Sequence, residues 1–391
     1  MINLRSFEVP TVVKHALGAI GCLADEVKAL GVKRPMLVTD SGLMKTGMVD
    51  DVLTILKKGG LDCVLFDQVI PNPPIALVDK GAAIYHQEKC DGLIGFGGGS
   101  SLDTAKSIGV VAVHGGSIGS FEWASPNPIT KRIPPLICVP TTSGTGSEVT
   151  LWAVITDPQR KIKYNVGGTP LIGAHVALMD PLLTLNLPAH VTAGTGMDAL
   201  AHAVECYTCA YAQAWPDAVA LQAMEYVGDY LRVAYAQGQN QEARYKMSMA
   251  AMLGGMAYGT ESAGAAHAMS QTAGGVRDTA PHGPLTAWLL GPVMEYNYMG
   301  EPHKFARIAK ALGEDTRGLS VWQAAEKAVE AVYRLNKDLQ IPSLQQLGFS
   351  EEQIPLLADL AAKDPQTLGN PRDINYNGYL QLSKRAFDLG K

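Results

Sequence analysis

Short apolar runs alternate with helical stretches over the first 180 or so residues, and then the runs stop. The runs are 35–40, 62–66, 92–96, 136–139 and 175–179, each bounded by Gly, Pro or Asp. Before and between them, 21–30, 48–58, 75–89 and 101–113 place apolar residues three and four apart, as helices packed on one face do. This alternation predicts a parallel sheet covered by helices on both faces. Residues 149–156 and 161–166 read as a hairpin, and the residues before 21 as a strand or loop. After Asp180-Pro181 only helical patterns remain, at roughly 190–210, 216–234, 241–258, 262–272, 283–296, 303–312, 320–336, 351–363 and 374–387. The expectation is therefore an α/β domain over 1–185, Rossmann-like, followed by an all-α domain over 186–391. A chain of 391 residues suits two cores better than one.

Composition narrows the function. A net charge of -5 argues against a nucleic-acid partner, since phosphate binding calls for basic patches. No run of eighteen apolar residues suggests a membrane span. The start of the chain lacks the basic and apolar segments of a signal peptide. Six cysteines do not make a disulfide framework at this length, which points to the cytoplasm.

Two polar loops stand at predicted strand ends. Phe96-Gly97-Gly98-Gly99-Ser100-Ser101-Leu102-Asp103 closes one strand and opens a helix. Consecutive glycines let backbone N–H groups approach a pyrophosphate, and the helix N-terminus adds positive potential. The Gly-x-Gly-x-x-Gly fingerprint is not met, because from Gly95 and Gly97 the third position is Ser100. A plain turn, with Ser100 as N-cap and Asp103 as its capping-box partner, stays open. Thr141-Thr142-Ser143-Gly144-Thr145-Gly146-Ser147 follows another strand. Parallel strands collect such loops on one edge, where ligands bind. Asp40 ends an earlier strand. A carboxylate there can accept from ribose hydroxyls and repel a 2′-phosphate, favouring NAD over NADP, or simply start a turn.

Asp198 and His202 lie four apart in an Ala/Leu/Val-rich helical run, so they share a face one turn apart. His267 and His282 can complete three imidazoles and a carboxylate, a set suited to Fe²⁺ or Zn²⁺. An acid on such a helix is costly to bury without a partner. His15, His86, His114, His175, His190 and His303 read instead as hydrogen-bonded core residues, and Cys206 and Cys209 as buried structural thiols.

Several motifs together resemble the iron-containing (group III) alcohol dehydrogenases, the family of lactaldehyde reductase and 1,3-propanediol dehydrogenase. They are Val69-Ile-Pro-Asn72-Pro, Gly97 to Lys106, Pro140 to Thr150, Gly196-Met-Asp198-Ala-Leu-Ala-His202-Ala-Val-Glu205 and Gly369-Asn370-Pro371-Arg372. The resemblance covers nearly the whole chain and implies a dehydroquinate synthase-like architecture. It implies catalytic metal ligands at Asp198, His202, His267 and His282, with Fe²⁺ preferred to Zn²⁺. It implies NAD contacts at Asp40, Asn72, Gly98, Gly99, Ser100, Asp103, Thr141, Thr142 and Lys163, beside Gly97 of the same loop. Trp152, Tyr258, Ala263 and Gln366 fall where relatives line the substrate site, and Arg277 reads as a surface arginine. The implied reaction interconverts a short primary alcohol or diol and its aldehyde by hydride transfer, in a homodimer or larger homo-oligomer. Two other readings stay open: a metal-independent enzyme of the maleylacetate reductase kind, and a non-catalytic nucleotide sensor.

Three positions depart from the family pattern. A histidine common four residues after the third ligand is Gln271 here, and glutamine does not titrate. The spacing from His267 to His282 is fifteen, one more than in close relatives. His-Gly-x-x-Asn reads His282-Gly283-Pro284-Leu285-Thr286.

Overall fold

The computed structural model describes residues 7–259 and 263–391. The chain start at 1–6 and the first position of the helix expected over 262–272 lie outside the described residues.

The first unit runs to Thr142 and resumes over Gly146–Leu185. Its elements are β1 (Val12–His15), α1 (Leu23–Ala29), β2 (Pro35–Asp40), α2 (Ser41–Met44), α3 (Met48–Lys58), β3 (Val64–Val69), α4 (Ile75–Gln87), β4 (Gly92–Gly97), α5 (Gly99–His114), β5 (Leu136–Pro140), β6 (Trp152–Asp157), β7 (Ile162–Gly167) and β8 (Val176–Met179). Six strands form a parallel sheet in the order β1-β8-β5-β4-β2-β3, and β6 and β7 form a separate antiparallel hairpin. The central strands are apolar throughout because both faces are covered. Leu37, Ile94, Phe96, Ile137 and Val139 pack with α1 and α3 on one face. Met36, Val38, Leu93 and Cys138 pack with α4 and α5 on the other. The order reverses at β2, whose neighbours are β3 and β4. Such a switch point is where open α/β sheets bind ligands.

The second unit comprises Ser143–Thr145 and Asn186–Lys391. It contains α6 (Ala189–Thr208), α7 (Ala214–Ala236), α8 (Gln241–Tyr258), α9 (Ala265–Val276), α10 (His282–Asn297), α11 (Pro302–Ala311), α12 (Val321–Asp338), α13 (Ile354–Lys363) and α14 (Tyr376–Asp388). One apolar core runs through it, rich in alanine along α6, α8 and α9. Small side chains let these helices approach closely, which is what brings polar groups on different helices within reach of one another.

Some expectations are corrected. β3 starts at Val64 rather than 62, because Asp62 stays outside the strand in an ion pair with Arg34. His86, His190 and His303 are exposed, not core residues. Cys206 and Cys209 are buried at the end of α6, and Arg277 is exposed at the end of α9. No described helix is long and apolar enough to cross a membrane.

Candidate functional site

The polar loops of the first unit gather at the C-terminal edge of its sheet. Gly97 has φ 148°, outside the range of L side chains, and a Cβ there would lie 2.5 Å from Ser101 Oγ. Only glycine suits that turn. Gly98 then occupies the N-cap of α5, and no side chain caps the helix. The capping box with Ser100 and Asp103 is thereby overturned: Ser100 already lies inside the helix, whose first turn has no side-chain cap. Such amides and the helix dipole suit a pyrophosphate. Thr141 is buried and donates its N–H to Gly97 O at 2.9 Å, which fixes the second loop beside the first. The Thr142 side chain would stand 3.5 Å from a Cβ on Gly98.

Asp40 caps α2 by accepting from Gly42 N at 2.8 Å and Leu43 N at 3.0 Å, both on Oδ1. The turn-forming role is therefore real, and it uses Oδ1. Asn72 follows β3 in the left-handed region, φ 56°, which asparagine tolerates better than most residues. Lys163 sits buried on β7, paired in register with Thr156. Asp103 is engaged inside the protein. Its Oδ1 accepts from Ser147 Oγ at 2.5 Å and its Oδ2 from Val154 N at 2.9 Å. Burial raises its pKa, against the pull of Lys106. Asp103 thus shapes the loop wall and has little left for a ligand.

Lys106, to which the sequence reading gave no role, organises that wall. Its buried ammonium donates to Ser147 O at 2.5 Å, Thr150 O at 3.0 Å and Trp152 O at 2.8 Å, and contacts the hydroxyls of Ser147 and Thr150. Carbonyls that would otherwise be orphaned in the core are satisfied by one side chain. Nearby, burial pushes the Glu148 carboxyl up to about 7.

The second unit assembles a different kind of site. Asp198 and His202 project from α6, His267 from α9, and His282 opens α10. α6 and α10 touch through glycine: a Cβ on Gly283 would lie 2.6 Å from Gly194 O, so no larger residue fits. That contact sets His282 beside Asp198. Asp198 Oδ1 lies 3.5 Å from His282 Nε2 and 3.7 Å from His267 Nε2, and Oδ2 lies 3.9 Å from His202 Nδ1. Donor atoms of Asp198, His267 and His282 fall within 4.8 Å of one another. His202 is outside this tightest group, with its ring 4.3 Å from that of His267. Donors about 2.1 Å from a tetrahedral ion stand about 3.4 Å apart, so the spacing fits a cation. Asp198 is 2%, His267 3% and His202 6% exposed, whereas the His282 side chain is 31% exposed, which leaves one open side.

The electrostatics agree with a cation. His202 Nδ1 and His267 Nε2 are buried with no hydrogen-bond partner among the described residues. Lone pairs left bare in a core are costly unless something occupies them. Burial holds the His202 pKa well below the ordinary value, aided by neighbouring His267, so its ring is neutral and able to donate to a metal. Burial also opposes charge on His267, but the hydrogen bond and charge of Glu205, together with the charges of Asp198 and Asp364, outweigh it, and the pKa is raised. Glu205 takes His267 Nδ1 at 2.5 Å, which turns Nε2 toward Asp198. The sequence showed Glu205 only as part of a motif. The signal lay in its position seven residues, two helical turns, after Asp198.

Residues 10–181 match the model of iron-containing alcohol dehydrogenase, and residues 192–387 that of the Fe-containing alcohol dehydrogenase family, C-terminal. The chain belongs to the iron-containing alcohol dehydrogenase family. This dehydrogenase is 54% identical to a choline dehydrogenase of Bacillus subtilis (strain 168), over 100% of this chain and 96% of that one. It is 41% identical to a 1,3-propanediol dehydrogenase of Citrobacter freundii, over 99% and 100% of the two chains. A crystal structure of 1,3-propanediol oxidoreductase superposes with a TM-score of 0.94 at 40% identity, covering 98% of this chain and all of that one. The dehydrogenase is an NAD-linked oxidoreductase interconverting an alcohol and its aldehyde, with NAD(H) and a divalent metal as cofactors. Neither the metal-independent reading nor the sensor reading gains support.

Two of the three departures from the family pattern, Gln271 and Thr286, have local partners; the structure offers no account of the fifteen-residue spacing. Gln271 Oε1 accepts from Gln366 Nε2 at 3.1 Å, so the two amides hold each other. Thr286 is fully buried, and its hydroxyl lies 2.9 Å from Ser270 Oγ and 3.0 Å from His282 O, tying α10 to α9. Tyr258 lies beside the donors, its ring stacked on that of His267 at 6.4 Å.

Proposed function

We propose that Asp198, His202, His267 and His282 hold one divalent ion, Fe²⁺ in preference to Zn²⁺, and that this centre oxidises a short primary alcohol with NAD⁺ or reduces its aldehyde with NADH. The convergence of buried imidazole nitrogens on the Asp198 carboxylate supports this most directly. When bound, the ion supplies Lewis acidity to the alcohol oxygen, the effect by which metals lower the pKa of water from 15.7 to about 7. Asp198 contributes the negative charge that selects a cation. The exposed side of His282 leaves room for substrate. Gln271 orients without titrating, since an amide exchanges no proton near neutrality. The proton therefore leaves through water or the ribose hydroxyls.

On the dinucleotide side, we assign the pyrophosphate to Gly97, Gly98, Gly99 and Ser100, flanked by Thr141 and Thr142. Asp40 Oδ2 takes the adenosine ribose, and Asn72 and Lys163 complete the cofactor contacts. Asp103 acts at one remove, through Ser147 and Val154.

Within the alcohol class, choline is the first candidate, because the relative sharing 54% identity over the full chain carries that activity in its name. The diol of the 41% relative is the second. We place the enzyme in the cytoplasm as a homo-oligomer. The test is the metal content of anaerobically purified protein, paired with NAD⁺-linked oxidation of choline, 1,3-propanediol and simple alcohols before and after chelation. About one metal per chain, with activity lost on chelation and restored by Fe²⁺, is expected. Activity unchanged in metal-free protein would overturn the reading.

A further inference from the structure

Glu205 is 3% exposed and meets three donors with two oxygens. Oε1 accepts from Ala266 N at 2.7 Å. Oε2 accepts from His267 N at 3.2 Å and from the His267 ring at Nδ1, 2.5 Å. Ala266 and His267 stand in the first turn of α9, whose N-cap, Gly264, offers no side-chain cap. A carboxylate from α6 therefore does what the N-cap of α9 does not: it satisfies orphan amides at the positive end of the helix. The approach is so close that a Cβ on Gly264 would lie 2.9 Å from Glu205 Oε1. Asn370 reinforces the joint, accepting from Ala265 N at 3.4 Å and exchanging amide bonds with Asn297 of α10 at 2.7 and 2.9 Å. The Gly-Asn-Pro-Arg motif thus also ties α9 to α10, the helix that carries His282.

We propose that Glu205 is the positioning residue of the metal centre, holding His267 as the Nδ1–H tautomer with its Nε2 lone pair turned to Asp198, and pinning the helix of His267 to the helix of Asp198 and His202. This rests on the reading that those residues bind metal. A carboxylate behind a ligating imidazole fixes its ring and raises its basicity, and removing such a partner costs about 10–100-fold in metal affinity. Glutamine at 205 keeps one acceptor oxygen, enough for one of the two α9 amides, and loses the charge, so metal-free melts are run beside the titration to tell lost capping from lost metal positioning.

The experiment titrates Zn²⁺ into metal-stripped wild type, E205Q and H267A, with thermal melts of the metal-free proteins alongside. Expected is E205Q that still folds cooperatively, melting below wild type by the loss of one buried hydrogen bond, yet binds Zn²⁺ about 10–100-fold more weakly, while H267A loses more. Wild-type Zn²⁺ affinity in E205Q overturns the proposal alone. Failure of wild type to take up any ion overturns the metal reading with it. Should E205Q not fold, imidazole ¹⁵N shifts of Zn²⁺-loaded wild type decide: His267 must carry its proton on Nδ1, and an Nε2–H ring overturns the proposal.

Discussion

Both halves of the molecule bury charged side chains, but to opposite ends. In the α/β unit, Lys106 and Asp103 of α5 are engaged by carbonyls, hydroxyls and an amide of the segment 147–154. Both groups are turned inward on the protein, and the product is a shaped backbone at the sheet edge. In the helical unit, His202 and His267 each keep a buried ring nitrogen without a hydrogen-bond partner among the described residues, and both turn toward Asp198. The difference teaches how to tell a structural polar cluster from a binding one. Saturated groups build a wall, and bare lone pairs that converge mark the place of a cation.

The comparison is broken most severely at Asp198. Asp198→Ala removes the only carboxylate among the four donors, and we expect loss of bound metal with a fall in kcat of about 10³-fold or more, as losing a Lewis acid worth several kcal/mol demands. NAD⁺ binding, followed by fluorescence or calorimetry, should stay within about twofold, because the residues we propose for it belong to the other unit. A parallel collapse of NAD⁺ binding would mean that the two sites are not separable.

Glu148 sharpens the contrast on the saturated side. Its folded-state pKa is raised from 4.5 to about 7 by burial, so its contribution is fully present below the ordinary value and is lost as pH rises through 7. A shift of that size corresponds to about 3 kcal/mol across pH 4.5–7. Denaturant melts should show wild-type stability declining over this window and Glu148→Gln nearly flat. Equal slopes in the two proteins would show that Glu148 stays ionised throughout.

Gly97→Ala attacks the backbone wall. The strained φ and the Ser101 clash should raise KM for NAD⁺ by about 5–30-fold, the scale of about 1–2 kcal/mol of backbone strain, with metal content per chain unchanged. Loss of metal in this variant, read by elemental analysis, would contradict the division of labour. The smallest effect is expected at Asp40. Asp40→Ala lifts repulsion of the 2′-phosphate and should move the NAD⁺/NADP⁺ ratio of kcat/KM about tenfold toward NADP⁺, roughly 1.4 kcal/mol. An unchanged ratio would restrict Asp40 to its capping role.

Much of the fold was legible because the sheet and helices each impose a local period. Apolar runs near 92–96 and 136–139 announced β4 and β5, and Ala/Leu spacing announced α6. Where local rules competed, reading erred. Ser100 followed by Asp103 looks like a capping box, yet Gly98 takes the N-cap and Asp103 is claimed by Ser147 and Val154, 44 and 51 residues away. The short helix α2 went unnoticed because its only signal is Asp40 accepting from the next turn.

Local patterning was enough for the order of strands and helices, the glycine turn after β4 and the Asp198–His202 pair, since each depends on residues within a turn or a strand of one another. Tertiary structure alone decided that His267 and His282 meet Asp198, that Glu205 backs His267 across 62 positions, and that Lys106 holds a loop 41 or more residues downstream. Those partnerships arise from helix packing through small residues and from the need to satisfy buried polar groups. Neither leaves a periodic trace in the chain.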